Sequence, residues 1–162
     1  AGVAHAIDAG IFVLELQEPT DLSALLEWEG FAVDGIKDGH LGLGFETVTD
    51  ALKLDPLTDS EFESLIARNA LTGGALRSIL PLKADGYFRA HLAPQAGNFE
   101  AGFAIALVLN GSGSVTFANA AAMEITQGDA LVIPHAAGNY SISGANVIVC
   151  RPPLAELARV AI

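Results

Sequence analysis

From Ser78 onward, short apolar runs alternate with turns rich in glycine and asparagine at regular intervals. Even spacing of this kind is typical of an antiparallel sandwich or jelly roll. The predicted strands are YFRAHLA, FAIALVL, GSVTFAN, MEIT, DALVIPH, YSISG and NVIVCRPP. The predicted turns are residues 110–113, 126–129, 137–139 and 144–146. The second half of the chain is therefore predicted to be mainly β.

The first half has a different pattern. Residues 1–29 carry three runs that predict strands of a sheet edge or barrel wall, namely VAHAI, IFVLELQE and LSALLEW. The glycine-rich residues 30–45 predict a long surface loop. Helical signals follow in ETVTDALKL and more clearly in LTDSEFESLIARNAL, where Thr58 and Glu61 form a capping box. We predict that residues 46–72 hold the only substantial helix.

Composition and charge narrow the class of protein. The 162 residues are 51% hydrophobic and lack an apolar run near the roughly 20 residues that a membrane helix needs. The net charge of −11 disfavours nucleic acid and anionic membranes as partners, since both require a basic surface. Residues 1–63 hold 14 acids and two bases, whereas residues 64–162 hold five acids and six bases. The two parts therefore present different surfaces.

Two features of the sequence, the single cysteine and the residues at the start of the chain, indicate the cellular compartment of the protein. Cys150 lies in the apolar run NVIVC, so no internal disulfide forms, and we expect it to be a buried apolar residue. No basic segment with a cleavage site precedes the first strand, so we expect no leader. Both observations favour a cytoplasmic protein.

Two side chains of the N-terminal strands are candidates for chemistry. His5, flanked by small residues, can present a nitrogen to a metal or substrate. Spacing alone favours the alternative, an inert hydrogen-bonded histidine at a strand end, because no second histidine lies nearby in sequence. Alternation places Glu15 and Gln17 on one face of their strand, where a carboxylate inside a barrel is costly unless it is functional. The alternative for Glu15 is a sheet edge that faces water.

Other polar residues are weaker candidates. His40 lies on the glycine-rich loop near Lys37, in a type of segment that often contributes to sites. Asp21 follows a proline and has the pattern of a turn former. His91 and His135 have no acidic or histidine partner at ligand spacing, so we expect structural roles for them.

The series AHAI followed by ELQEPTD resembles the type I mannose-6-phosphate isomerase family, whose members are zinc enzymes built from cupin barrels. The strand block that contains QGDALVIP resembles the C-terminal cupin of that family. The matching positions are Gly2, His5, Ala6, Ile7, Glu15, Gln17, Thr20, Asp21 and Ser23. The resemblance covers nearly the whole chain and implies that the chain is the C-terminal part of a longer enzyme.

The resemblance implies a division into C-terminal strands of the catalytic cupin barrel (1–45), a helical linker (46–77) and a second cupin-like domain (78–162). It implies zinc as cofactor, with His5 as a metal ligand and Glu15 as a catalytic residue. It implies a sugar or sugar phosphate substrate, for which Gln17, Asp21, Lys37 and His40 are the binding candidates. The other zinc ligands, a Gln-x-His pair and a glutamate, would come from the missing N-terminal portion of the enzyme.

Two departures from the family leave alternatives open. Leu25 stands where the family has a phosphate-binding arginine, and Ala24 stands where it has a tyrosine. Either another cation such as Lys37 binds the phosphate, or the substrate is a different sugar. The competing hypothesis is a non-catalytic cupin module that binds a sugar or a partner protein. Because its strands are rich in small apolar residues, we predict that the C-terminal barrel holds no metal of its own.

Overall fold

The computed structural model describes residues 2–17, 23–66 and 76–154. The chain falls into two compact units, residues 1–58 and residues 59–162. The second unit is a mainly β, antiparallel jelly-roll fold, as the spacing of strands and turns predicts. Its strands are β1 (Arg77–Ser78), β2 (Arg89–Phe99), β3 (Ala104–Phe117), β4 (Met123–Thr126), β5 (Ala130–Ile133) and β6 (Tyr140–Arg151).

Strand β6 lies at the centre of the sheet. The strand order is β1-β2-β6-β3-β4, and β5 pairs with the first residues of β3. Every pairing is antiparallel. β6 pairs with β2 on one edge and with β3 on the other, and Tyr140 is opposite both Phe99 and Phe117. β2 and β3 are therefore held in register with each other through β6, the strand that both of them pair with.

One face of this sheet forms the core. Its fully buried side chains are small or β-branched, which suits the close pleated surface of a sheet. They include Val108, Val115, Ile125, Ile133, Ile142, Val147 and Val149. Phe99 and Tyr140 close one end of this cluster. Burial of this face supplies the main favourable term in the folding of the unit.

The predicted turns at 110–113 and 144–146 are wrong, because both segments lie inside continuous strands. The register of β3 against β6 shifts between Val108 and Asn110 and again between Gly111 and Ser114. The buried positions of β6 change accordingly from Tyr140 and Ile142 to Ala145, Val147 and Val149. The glycines and asparagines therefore form bulges that keep the same face inward while the strands bend.

Close backbone approach explains why glycine occupies these bulges. A Cβ atom on Gly113 would overlap the carbonyl oxygen of Ser143, and Gly144 adopts a φ of 87°. The side chains of Asn146 and Asn110 are hydrogen-bonded across the same point. Glycine and asparagine are also common in turns, so the sequence pattern predicted turns where the structure has bulges.

The predicted turn at 126–129 is confirmed. Gln127 and Gly128 link β4 to β5, and the Asp129 carboxylate accepts a hydrogen bond from the backbone N–H of Thr126 at 2.7 Å. The turn at 137–139 is also confirmed, as the end of a short 3-10 helix, His135–Ala137. A second 3-10 helix, Leu82–Ala84, lies between β1 and β2.

The predicted strands of residues 1–29 are not observed in the described part of that segment, residues 2–17 and 23–29. Their apolar side chains are largely exposed, with Ile7 at 54%, Ile11 at 61% and Phe12 at 75%. Alternation of apolar and polar residues creates a strand signal, but a strand forms only where a neighbour accepts its backbone hydrogen bonds. Backbone hydrogen bonds of this segment instead join the Lys53 N–H to the oxygen of Gly2 and the Leu25 N–H to the oxygen of Gly39.

The helices are shorter than predicted, and two of them start before residue 46. They are α1 (Gly35–Asp38), α2 (Phe45–Thr49) and α3 (Asp59–Leu65). Helix α1 forms within the predicted loop because the Asp34 carboxylate accepts a hydrogen bond from the Lys37 N–H and caps its first turn. The predicted helix of residues 57–71 is confirmed over α3, and its last residues lie outside the described chain.

Within the described residues, no helix combines the length and the apolar character needed to cross a bilayer.

We predict that Gly113→Ala lowers the free energy of unfolding by about 1–3 kcal/mol, because the new Cβ forces two paired strands apart. Ser112→Ala, at the exposed adjacent position, should change it by less than about 0.5 kcal/mol. Chemical denaturation of the two variants measures both values. Equal stability of the two variants would contradict the assignment of a tight bulge at this point.

Candidate functional site

The candidates of the N-terminal segment are accessible to solvent. His5 is exposed, and its ring Nδ1 lies 3.2 Å from the carbonyl oxygen of Val3. Glu15 and Gln17 are also exposed. Asp21 lies outside the described residues. Within the described chain, no group of three or more His, Cys, Asp or Glu side chains is placed to hold a metal ion. The described residues do not form a zinc site by themselves, and His5 would supply one ligand of such a site.

Lys37 and His40 lie on and just after α1. The Lys37 ammonium is 78% exposed and lies 3.9 Å from the Asp38 carboxylate, a surface ion pair that contributes little to stability. His40 is half-buried, and its Nδ1 accepts a hydrogen bond from the Gly44 N–H at 3.1 Å. This bond leaves Nε2 as the ring nitrogen that can donate when the imidazole is neutral.

His40 also belongs to an aromatic cluster that sequence reasoning missed. Its ring meets the Phe45 ring edge-on with centroids 5.2 Å apart, and Phe45 stacks on Trp28 at 5.5 Å. Such contacts hold the imidazole in one orientation. The sequence shows four aromatic rings in residues 28–45, those of Trp28, Phe31, His40 and Phe45, but periodicity does not reveal which of them meet.

The second unit carries an open depression of about 470 Å³ where β2 and β3 end and β6 begins. We call it the rim depression. It is lined by Asn98, Phe99, Glu100, Thr116, Phe117, Ala118, Asn139, Tyr140 and Ser141. The side chains of Asn98, Thr116 and Ser141 lie opposite one another on one face of the sheet, and those of Phe99, Phe117 and Tyr140 lie on the other face. Polar and aromatic residues therefore adjoin at this end of the sheet.

Three of the lining residues are aromatic, and their rings contact one another. Phe99 and Tyr140 stack with centroids 5.0 Å apart, and Phe117 lies at 6.1 Å from Tyr140. Tyr140 is only 3% exposed, and this burial raises the pKa of its hydroxyl, against a smaller opposing effect of the Arg151 charge. The hydroxyl therefore stays protonated and able to donate at neutral pH.

The loop that follows β2 is held from both ends of β6. At the start of the strand, the Asn139 Oδ1 accepts a hydrogen bond from the Ala101 N–H at 2.9 Å. At its end, the Arg151 Nη2 donates to the carbonyl oxygens of Glu100 at 3.1 Å and Ala101 at 3.3 Å. These bonds tie the loop after β2 to the two ends of β6, next to Glu100 and Asn139 in the lining of the rim depression.

Two further titratable groups lie next to the core. Burial lowers the pKa of His91, the charges of Arg89 and Arg151 lower it further, and Asp85 opposes them. Burial raises the pKa of the Cys150 thiol, which is therefore protonated and unreactive at neutral pH. The prediction that Cys150 is a buried apolar residue is confirmed.

Comparison with protein-family models finds no match, and comparison with curated proteins finds none either. The fold is similar to solved structures of mannose-6-phosphate isomerases. One from Bacillus subtilis has 16% identity and a TM-score of 0.47, and the match covers 67% of this chain and 33% of that chain. A mutant phosphomannose isomerase from Salmonella typhimurium has 15% identity and a TM-score of 0.49, with 67% and 27% covered.

Cupin-domain proteins of other kinds match as well. A cupin-2 domain containing protein from Shewanella frigidimarina has 14% identity and a TM-score of 0.37, with 59% of this chain and 93% of that chain covered. This chain spans about a third or less of the two isomerases. At these identities the likeness concerns the arrangement of strands and not the chemistry.

We predict that Asn139→Ala destabilises the protein by about 1 kcal/mol, because the Ala101 N–H loses its acceptor. Asn139→Asp keeps an oxygen at the same position and should retain most of the stability. Hydrogen exchange at the Ala101 amide distinguishes the variants, with faster exchange expected in Asn139→Ala alone. Unchanged exchange in that variant would show that this bond does not hold the loop.

Proposed function

We propose that this chain is the C-terminal part of a zinc-dependent aldose-ketose isomerase of the mannose-6-phosphate and fructose-6-phosphate type. The observation that carries the proposal is the series of His5, Glu15 and Gln17 in the motif order of that family. The jelly-roll unit that follows it along the chain supports the same assignment. In this proposal the isolated chain is inactive.

His5 and Glu15 have separate roles in the proposed reaction. Zinc supplies polarisation of the sugar oxygens when it is bound, and His5 contributes one of its ligands. Glu15 transfers a proton between adjacent carbons of the sugar, or binds its hydroxyl groups. Both side chains are exposed in the described chain, and the proposal places them in a site that the N-terminal portion of the enzyme completes.

Substrate binding is assigned to Gln17, Asp21, Lys37 and His40. The exposed ammonium of Lys37 is available to a phosphate group, and the half-buried ring of His40 is held in one orientation near it in sequence. With Leu25 in place of the family arginine, a phosphate would be held by a single point charge rather than a bidentate fork. The proposal therefore includes sugars with or without phosphate.

The exposed apolar side chains of residues 3–14 support a larger assembly. Ile11 and Phe12 would normally be buried in a folded protein, and a run of such residues marks a surface that packs against another element. The proposal assigns that element to the N-terminal portion of the same enzyme, which would also provide the remaining zinc ligands.

A non-catalytic cupin module is the second candidate function. It is favoured by Leu25, which removes the family's phosphate ligand, and by the rim depression, which offers a polar concave surface in the second unit. In that case His5 would be a remnant without a metal, and the module would bind a sugar or a partner protein.

We predict that His5→Ala in the full-length enzyme removes most of the bound zinc, because catalytic zinc sites depend on three protein ligands. Metal analysis and isomerase assays on an aldose measure the effect, and turnover should fall with the zinc. His135→Ala is the matched control, since His135 is exposed on a short helix of the other unit. Full zinc content and full rate in His5→Ala would favour the non-catalytic module.

We predict that Glu15→Gln lowers kcat by about 10²- to 10⁴-fold, the usual contribution of a general acid or base, while zinc content stays constant. The same assays separate the two effects. A variant that loses activity together with zinc would place Glu15 among the metal ligands, and an unchanged kcat would remove it from the reaction.

A further inference from the structure

A group of polar side chains lies on the core face of the second unit. Residues directly opposite one another in an antiparallel pair lie on the same face. His91 is opposite Val149, a core residue, and Arg89 is opposite Arg151. These two arginines, His91 and the hydroxyl of Tyr140 therefore share the inner face of the sheet.

Three atoms of this group are buried without a hydrogen-bond partner in the part of the chain that the structure describes: His91 Nδ1, Tyr140 Oη and Arg151 Nε. Buried polar atoms are nearly always paired, and each exception requires an explanation. Arg77 has buried unpaired nitrogens too, but it is opposite Leu92 and so lies on the other face. Three unpaired atoms on one inner face indicate a bound group that pairs with them.

The hydrogen-bonding character of the three unpaired atoms indicates what kind of group would bind to them. The Tyr140 hydroxyl and the Arg151 Nε–H are donors, and His91 Nδ1 is a donor in the protonated ring or in one neutral tautomer. Arg151 is fixed by its two bonds to the loop after β2, so that Nε cannot turn to another acceptor without breaking them. A set of fixed donors selects a ligand with several acceptor oxygens.

The charged groups near this face determine the sign of its net charge. The charges of Arg89 and Arg151 both act on His91, that of Arg151 also acts on Tyr140, and Asp85 is the acid that opposes them at His91. The inner face therefore carries an excess of positive charge, although the whole chain is acidic. Positive charges that are partly withdrawn from water, as those of the half-buried Arg89 and Arg151 are, are stabilised by an anion beside them.

We propose that the inner face of the second unit binds a small oxyanion, a phosphate or carboxylate group, between Arg151, Tyr140 and His91. Tyr140 is among the residues that line the rim depression, and the Arg151 guanidinium donates to the carbonyl oxygen of Glu100 in the same lining, so the proposed site lies next to that depression. This site is separate from His5 and Glu15 and does not depend on isomerase activity.

The first test measures thermal unfolding of the full chain while inorganic phosphate or acetate is titrated at constant ionic strength with chloride. A ligand that binds only the folded state stabilises it by RT ln(1 + c/Kd), where c is the free ligand concentration, so the melting temperature rises with the logarithm of ligand concentration above Kd. We expect stabilisation of this one-site form by at least one of the two oxyanions and none by chloride. Stabilisation by phosphate alone identifies a phosphate group, and stabilisation by acetate alone identifies a carboxylate.

Tyr140→Phe is the diagnostic variant. It keeps the ring that stacks on Phe99, so that the fold is retained, and removes only the unpaired hydroxyl. We expect its anion-free melting temperature to equal or exceed that of the wild type, while its affinity for the stabilising oxyanion falls roughly tenfold or more. Tyr87→Phe, which changes the other tyrosine of the chain, is the matched control and should keep the wild-type affinity.

A second measurement follows the His91 ring by NMR as a function of pH. Without oxyanion its pKa lies below the usual value, because burial and the two arginines disfavour the imidazolium. A bound anion favours the charged ring, so its pKa should rise when phosphate or acetate is present, and affinity should increase as the pH falls. An unchanged His91 pKa, or equal affinity in the wild type and Tyr140→Phe, would overturn the proposal.

Discussion

The pairing of β6 on both of its edges is the constraint on which the rest of the second unit depends. Because β2 and β3 are each aligned against the same strand, their registers are coupled even though a loop separates them in sequence. The hydrogen bonds of Asn139 and Arg151 then close the loop between β2 and β3 onto the two ends of β6. Long-range pairing of this kind fixes the position of every residue on the inner face.

Much of this fold was predictable from local pattern, and the errors have a physical cause. Alternation and turn residues identify most strands of the second unit and the turns at 126–129 and 137–139 correctly, but the strands that alternation predicts in residues 1–29 are not observed in the described part of that segment. The same residue types at 110–113 and 144–146 form bulges, because they lie opposite one another and a close approach of two backbones also requires glycine. A sequence gives the conformational preference of a residue but not the strand that it faces.

The same limit applies to the candidate functional sites, because the sequence pattern identified some of their residues and missed others. Motif order identified His5, Glu15 and Gln17 without any structural information, and their assignment stays a prediction. His91 looked structural because no acid or histidine lies near it in sequence. Arg89 is close to it on the same strand, but Tyr140 and Arg151 are about 50 to 60 residues away along the chain and share its face only through the register of β2 and β6. Residue spacing can identify a site whose residues lie on one helix or strand. It does not identify a site whose residues come from several strands of a sheet.

The facing bulges of β3 and β6 also limit how this unit can diverge. The Cβ position of Gly113 is occupied by the backbone of Ser143, and that of Gly144 by the backbone of Ser112. The two segments share one space, so an insertion or a larger side chain in either strand is tolerated only with a compensating change in the other. Among homologues of this chain, residues 110–114 and 143–146 should therefore vary together, as a correlated pair rather than as two independent loops.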